Sequence, residues 1–140
     1  RHRLMRMHTL LHLICATVDA DITGCQIGLE KSRIDLNTRG KPDKDVIQAK
    51  LDELIAKDLP TAAQWITEEE LAAQPELVKT MSVSPPTGIG EVRLIAVGGI
   101  DLQPCGGTHV ASIGEIGRVR IGKIENKGKQ NRRINVHLED

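Results

Sequence analysis

The sequence contains no phenylalanine and no tyrosine, and Trp65 is its only aromatic ring. That shortage excludes a base-stacking platform of the kind that single-strand binders assemble from several rings, so an RNA partner would be held through its backbone and shape. Cysteine is scarce as well. Cys15, Cys25 and Cys105 are odd in number and lack framework spacing, which argues against a disulfide scaffold and for a reducing, cytoplasmic setting. No apolar run approaches the roughly 20 residues that cross a bilayer, and no charged-then-apolar leader is read in the chain. Net charge is missing too, since 19 basic and 19 acidic residues cancel and leave none of the global basic excess common in nucleic-acid binders. The balance hides a polarity. Residues 118–133 hold Arg118, Arg120, Lys123, Lys127, Lys129, Arg132 and Arg133 against Glu125 alone, whereas acids outnumber bases over 41–79, so a phosphate-bearing partner would meet the C-terminal end.

At 140 residues the chain fits one domain, 1–140, and its opening in the middle of a helical pattern suggests truncation at the N-terminus. Residues 3–18 lack Gly and Pro and carry apolar side chains nearly all round, which predicts a mostly buried helix. Two short alternating runs within 26–36, broken at Glu30 and Lys31, predict a hairpin. Pro42 and Asp43 introduce a second helix with the stripe Val46, Ile47, Leu51, Leu54 and Ile55, ended by Pro60. Thr67 and Glu70 have the spacing of a capping box for a third helix that Pro75 would end, and Trp65 is expected to anchor the long connection before it to the core. A Pro/Gly-rich loop at 84–88 leads to strands at 91–97 and 100–103 around a Gly98-Gly99 turn, and further strands are expected at 115–124 and 132–138. The result is an α+β domain with helices packed on a mainly antiparallel sheet.

His8 and His12 are spaced i,i+4, so a helix would present both imidazoles on one face, about 5–6 Å apart at Cβ. Cys105 and His109 form a second pair, and Gly106-Gly107-Thr108 between them permits a tight loop that brings thiolate and imidazole together. One soft sulfur with nitrogen donors suits Zn2+, at about 2.3 Å to sulfur and 2.0–2.1 Å to nitrogen. Either pair alone arises by chance in many chains; two pairs among five His and three Cys predict a metal site. Thr9 stands where the HExxH peptidases carry their glutamate, so peptidase chemistry of that type is excluded.

The segments Met7-His8-Thr9-Leu10-Leu11-His12, Ser32-Arg33-Ile34-Asp35-Leu36, Asp101-Leu102-Gln103-Pro104-Cys105-Gly106-Gly107-Thr108-His109-Val110 and Gly114-Glu115-Ile116-Gly117 follow one another along nearly the whole chain. Together they resemble the zinc-binding editing domain of alanyl-tRNA synthetase and, more closely, the free-standing AlaX editing proteins. The threonyl-tRNA synthetase editing domain shares the His and Cys spacing with less similar flanks. The resemblance implies hydrolysis of the ester joining a wrong amino acid to alanine tRNA, chiefly serine, with glycine as a second candidate. It implies Zn2+ on His8, His12, Cys105 and His109, catalytic parts for His109 and Cys105, and a substrate-binding set of Thr9, Thr23, Gly24, Gly106 and Gly107. Arg132 and Arg133, in an Arg-Arg-Ile run like one in these domains, are the expected phosphate contacts. Two departures stand out: Ile22 and Thr23 occupy the stretch where synthetases carry a glutamine, and Leu36 replaces the usual phenylalanine.

Four protein ligands would close the zinc tetrahedron, whereas catalysis needs an open position. His109 is therefore read as a displaceable ligand, or else the ion expands its coordination. His109, water activated by the ion, and the terminal ribose hydroxyl are the candidate bases. The competing readings are a zinc-stapled RNA-binding domain without catalysis and editing of threonine-type tRNA.

Overall fold

A computed structural model describes residues 2–18, 20–38, 40, 42–74, 90–105 and 107–139. The first helix, α1 (His2–Thr17), buries Met7, Leu10, Leu11, Leu13 and Ile14 with Thr9, His12 and Cys15, so most of its circumference is inside. A helix apolar on most sides needs partners on most sides, and α1 finds them in two separate sheets.

The first sheet has four antiparallel strands, β1 (Ile22–Gln26), β2 (Lys31–Leu36), β6 (Val119–Asn126) and β7 (Arg132–Leu138), in the order β1-β2-β7-β6. The second has three, β3 (Thr61–Thr67), β4 (Glu91–Val97) and β5 (Asp101–Pro104), with β4 in the middle. Ile34, Leu36, Ile121, Ile134 and Val136 from the first sheet and Ile95 and Val97 from the second join α1 in one core. Each such side chain, taken wholly from water, contributes about 1.5–3 kcal/mol.

The second helix, α2 (Lys44–Lys57), starts at Asp43, whose carboxylate accepts from the amides of Asp45 and Val46 at 2.9 and 3.3 Å. It buries Ile47 and Leu51 only; Val46, expected in the stripe, is exposed. Its end is a left-handed Asp58 (φ 50), held by accepting from Gly114 N at 2.7 Å and from the Ser112 hydroxyl. This tie joins α2 to the 3₁₀ turn Ile113–Ile116. The short α3 (Glu68–Ala72) carries the expected capping box between Thr67 and Glu70. Pro75, expected to end α3, and the loop at 84–88 lie outside the described residues.

Three expectations are corrected. The first arm of the N-terminal hairpin is Ile22–Gln26, and residues 27–30 form the connection that was read as strand. The strand expected from 115 begins at Val119, because Gly117 takes φ 74 and the preceding residues coil into the 3₁₀ turn. The segment Thr61–Thr67, read as a connection anchored by Trp65, is an edge strand, and Trp65 is 60% exposed. Its mixed run of Ala, Gln and Thr has no clear alternation, so pairing to β4 is what makes it a strand. Gly98 does take the positive φ (51) expected for the turn between β4 and β5.

Candidate metal centre

Position in the fold brings the two sequence pairs together. The i,i+4 spacing puts His8 and His12 on the face of α1 that meets β5, and Cys105 follows directly from the last residue of β5. One ligand atom from each of His8, His12, Cys105 and His109 lies within 4.8 Å of all the others. Cys105 Sγ is 3.5 Å from His8 Nε2 and 3.4 Å from His109 Nε2. The edge of a zinc tetrahedron with these bond lengths is roughly 3.4–3.6 Å, so the spacing fits the group.

The outer nitrogens of His8 and His109 are hydrogen-bonded, whereas that of His12 faces a carboxylate without a hydrogen bond. His8 Nδ1 lies 3.2 Å from the Thr108 carbonyl and His109 Nδ1 3.0 Å from Thr9 Oγ1. His12 Nδ1 lies 3.3 Å from Asp101 Oδ2, a long, chiefly electrostatic contact between two buried groups. A partner on Nδ1 orients each ring so that Nε2 faces the centre of the cluster, where an ion would replace any proton that Nε2 shares with the sulfur. Asp101 is itself held by Gln103 Nε2 at 2.8 Å.

The electrostatics of the cluster favour a thiolate beside the imidazoles. Burial pushes the Cys105 thiol up, but hydrogen bonds from His109, His12 and His8 outweigh it and bring the thiol down to about 3. Burial pulls His12 down, yet Asp101 and Cys105 beside it leave a net upward shift. His109 is lowered by burial, with His12 and His8 adding to the effect against Cys105.

The structure also sorts the expected substrate-binding residues. Thr9 is fully buried behind the cluster: its hydroxyl donates to Met5 O at 2.9 Å, accepts from Val110 N at 3.2 Å and steadies His109. Gly107 packs against the His8 ring, where an added Cβ would stand 2.7 Å from Nδ1 and closer still to Cε1. Gly106 lies outside the described residues. Thr23 Oγ1 donates to Asn131 Oδ1 at 3.0 Å. Gly24, Asp35 and Arg133 form a row across β1, β2 and β7.

Arg132 and Arg133 do not offer free guanidinium groups. Arg133 makes a two-point contact with Asp35, Nε to Oδ1 at 2.9 Å and Nη2 to Oδ2 at 3.3 Å, while Arg33 Nη1 reaches the same Oδ2 at 2.9 Å. Asp35 accordingly raises Arg133 further above its ordinary value. Arg132 Nη1 binds Asn126 Oδ1 and the Gly128 carbonyl, closing the β6–β7 turn. The basic side chains left exposed nearby include Lys123 and Lys129.

Residues that sequence reasoning passed over support the cluster. Asp101, Gln103 and Cys105 fall at alternate positions along and just beyond β5, a period-two signal on one sheet face that was available in the sequence. Arg93 gave no such signal: its Nη1 donates to the carbonyls of Cys105 (3.1 Å) and Gly107 (2.8 Å), and only the β4–β5 register brings it there.

Residues 92–135 match the family described as the threonyl and alanyl tRNA synthetase second additional domain. The chain is similar to AlaX proteins: it is 36% identical to an alanyl-tRNA editing protein AlaX-M of Methanosarcina acetivorans, over 100% of this chain and 60% of that protein. Identity to the AlaX-M of Saccharolobus solfataricus is 35% (96% of this chain, 58% of that one), and to the AlaX-L of Pyrococcus horikoshii 31% (96% and 33%). The chain thus spans about 60% of the length of the first of these relatives.

Proposed function

We propose that this chain is the deacylase unit of a trans-editing protein that hydrolyses mischarged alanine tRNA, chiefly Ser-tRNA(Ala), with glycine as a second substrate, and that its cofactor is Zn2+. The observation that carries the reading is the convergence of three imidazole nitrogens and one sulfur within 4.8 Å of one another, with two sulfur–nitrogen distances of 3.4 and 3.5 Å. The names of the AlaX relatives supply the substrate class.

Zinc held by His8, His12, Cys105 and His109 would supply Lewis acidity toward the amino and hydroxyl groups of the aminoacyl end. The protein's own part is positional. Asp101, Thr108 and Thr9 hold the three rings, and Arg93 holds the loop that carries Cys105. His109, lowered by burial and so a neutral imidazole near pH 7, is the side chain suited to take a proton from water as it adds to the ester carbonyl and to return that proton to the ribose oxygen as the carbonyl–oxygen bond breaks. A site that must pair with the serine hydroxyl can disfavour alanine by about 10⁴–10⁵, far more than a pocket that judges one methyl group.

Metal analysis and deacylation of Ser-tRNA(Ala), Ala-tRNA(Ala) and Ser-tRNA(Thr) on one preparation test the reading. Near-stoichiometric zinc, with hydrolysis of the first substrate and sparing of the second, is the expected outcome. Hydrolysis confined to the threonine tRNA would move the target. The closed set of four donors favours a second reading, a metal-stapled RNA-binding domain, and metal-loaded protein that binds tRNA without cleaving the ester would establish it.

A further inference from the structure

The chain's single aromatic ring stands exposed in line with the donor cluster, and the chemistry above makes no use of it. Trp65 lies on β3 and pairs in register with Arg93 of β4. The Arg93 carbonyl in turn accepts from the Cys105 amide at 3.1 Å. Trp65, Arg93 and Cys105 are therefore successive members of one cross-strand row, with side chains on the same side of the sheet. Two strand spacings set the first and last roughly 9–10 Å apart. Arg93 is held down between them by the carbonyls of Cys105 and Gly107, leaving the ring open at one end of the row and the donors at the other.

Ala62, Ala63 and Gln64 beside Trp65 on β3 are also exposed, and two of them carry only a methyl group. A lone exposed aromatic is ordinary on a protein surface. This one shares a sheet row with the cysteine of the donor cluster.

We propose that Trp65 is the stacking surface for the base of the terminal nucleoside of the aminoacylated RNA. The inference rests on the deacylase reading. With the ester carbonyl at the Cys105 end, the ribose crosses over Arg93 and the base reaches the indole, whose π-face accepts a base without reading its edge. The several-ring platform that the composition excludes is not required, because one ring serves one terminal base. Trp65 is thus a substrate-positioning residue.

The composition makes the test clean: with no tyrosine and one tryptophan, intrinsic emission reports on Trp65 alone. Metal-loaded protein is titrated with the non-hydrolysable amide 3′-serylamido-3′-deoxyadenosine, with the same compound lacking its base as the control. Saturable quenching by the first and none by the second is expected; unchanged emission at concentrations where calorimetry shows binding overturns the proposal. Trp65→Ala should raise KM for Ser-tRNA(Ala) roughly 5- to 100-fold with kcat little changed, and Trp65→Phe should restore most of it. Metal content and circular dichroism of both variants should match the parent. A parent enzyme that hydrolyses Ser-tRNA(Ala), paired with a Trp65→Ala variant of the same KM, sinks the stacking role and spares the deacylase. If the parent hydrolyses nothing, the deacylase reading fails, and the emission titration still decides for or against stacking at Trp65.

Discussion

Asp101 and His12, from different elements and 89 positions apart in sequence, face each other inside the protein with Oδ2 3.3 Å from Nδ1. The three metal-site histidines thus have unequal supports: a carboxylate for His12, a backbone carbonyl for His8 and a hydroxyl for His109. A carboxylate behind an imidazole raises its basicity more than a neutral acceptor does, so in the proposed zinc site His12 would be the firm ligand and His109 the yielding one.

Asp101→Asn should therefore lower zinc affinity about 10- to 100-fold with the fold retained. Competition against a chromogenic chelator measures it, and circular dichroism reports the fold. His109→Ala should cost less affinity than His12→Ala in the same assay. Equal losses would remove the ranking, and with it the argument that one ligand opens for substrate.

Gly107 is a glycine because the His8 ring occupies the space a Cβ would need. Gly107→Ala must displace either the ring or the loop, so metal content on purification should fall. Destabilisation of about 1–3 kcal/mol, as for other overpacked sites, should appear in urea unfolding. A variant with full zinc and unchanged stability would mean that the loop relaxes freely.

The four donors were legible in the sequence because helical spacing and a glycine-rich tight loop are local patterns, each contained in a few residues. Their supports were not. Arg93 reaches the Cys105 loop only through sheet register, and Asp35 captures Arg133 only because β2 and β7, nearly a hundred residues apart, lie side by side. The same gap explains the reading of Arg132 and Arg133: a run of basic residues predicts a cationic surface, but long-range pairing decides which charges remain free. Trp65 was placed wrongly because composition favours burying a lone large ring, whereas the edge position of β3 leaves it out.

Asp35 is a buried carboxylate that serves two half-buried arginines. Asp35→Ala would leave Arg33 and Arg133 facing each other without a counter-ion, a like-charge contact in poorly solvated surroundings. The expected cost is about 1–3 kcal/mol in denaturant unfolding. Adding Arg133→Leu to Asp35→Ala should return part of that loss; if it does not, the pairing is not what holds the row.

Two cysteines should titrate in opposite directions in the metal-free protein. Cys105 is held at about 3 despite its burial, whereas Cys25 is pushed up by burial first and then by the neighbouring Cys105 thiolate and Asp35, against Arg33. A depressed folded pKa means that the folded state binds fewer protons than the unfolded one. The Cys105 thiolate therefore stabilises the fold fully above the unfolded thiol's value, about 8.5, and that contribution fades as pH falls toward about 3. Cys25 has the reverse sign: its raised pKa costs stability only above neutral pH, once an unfolded thiol would ionise. Brief iodoacetamide labelling at pH 5, read by peptide mass spectrometry, should modify Cys105 ahead of Cys25, although Cys25 is the more exposed. Loading with zinc should abolish the labelling of Cys105 and leave Cys25 reactive at alkaline pH. Equal labelling of both cysteines at pH 5 would show that the imidazoles do not hold the sulfur as a thiolate, and the donor set would then have to lose a proton to bind its ion.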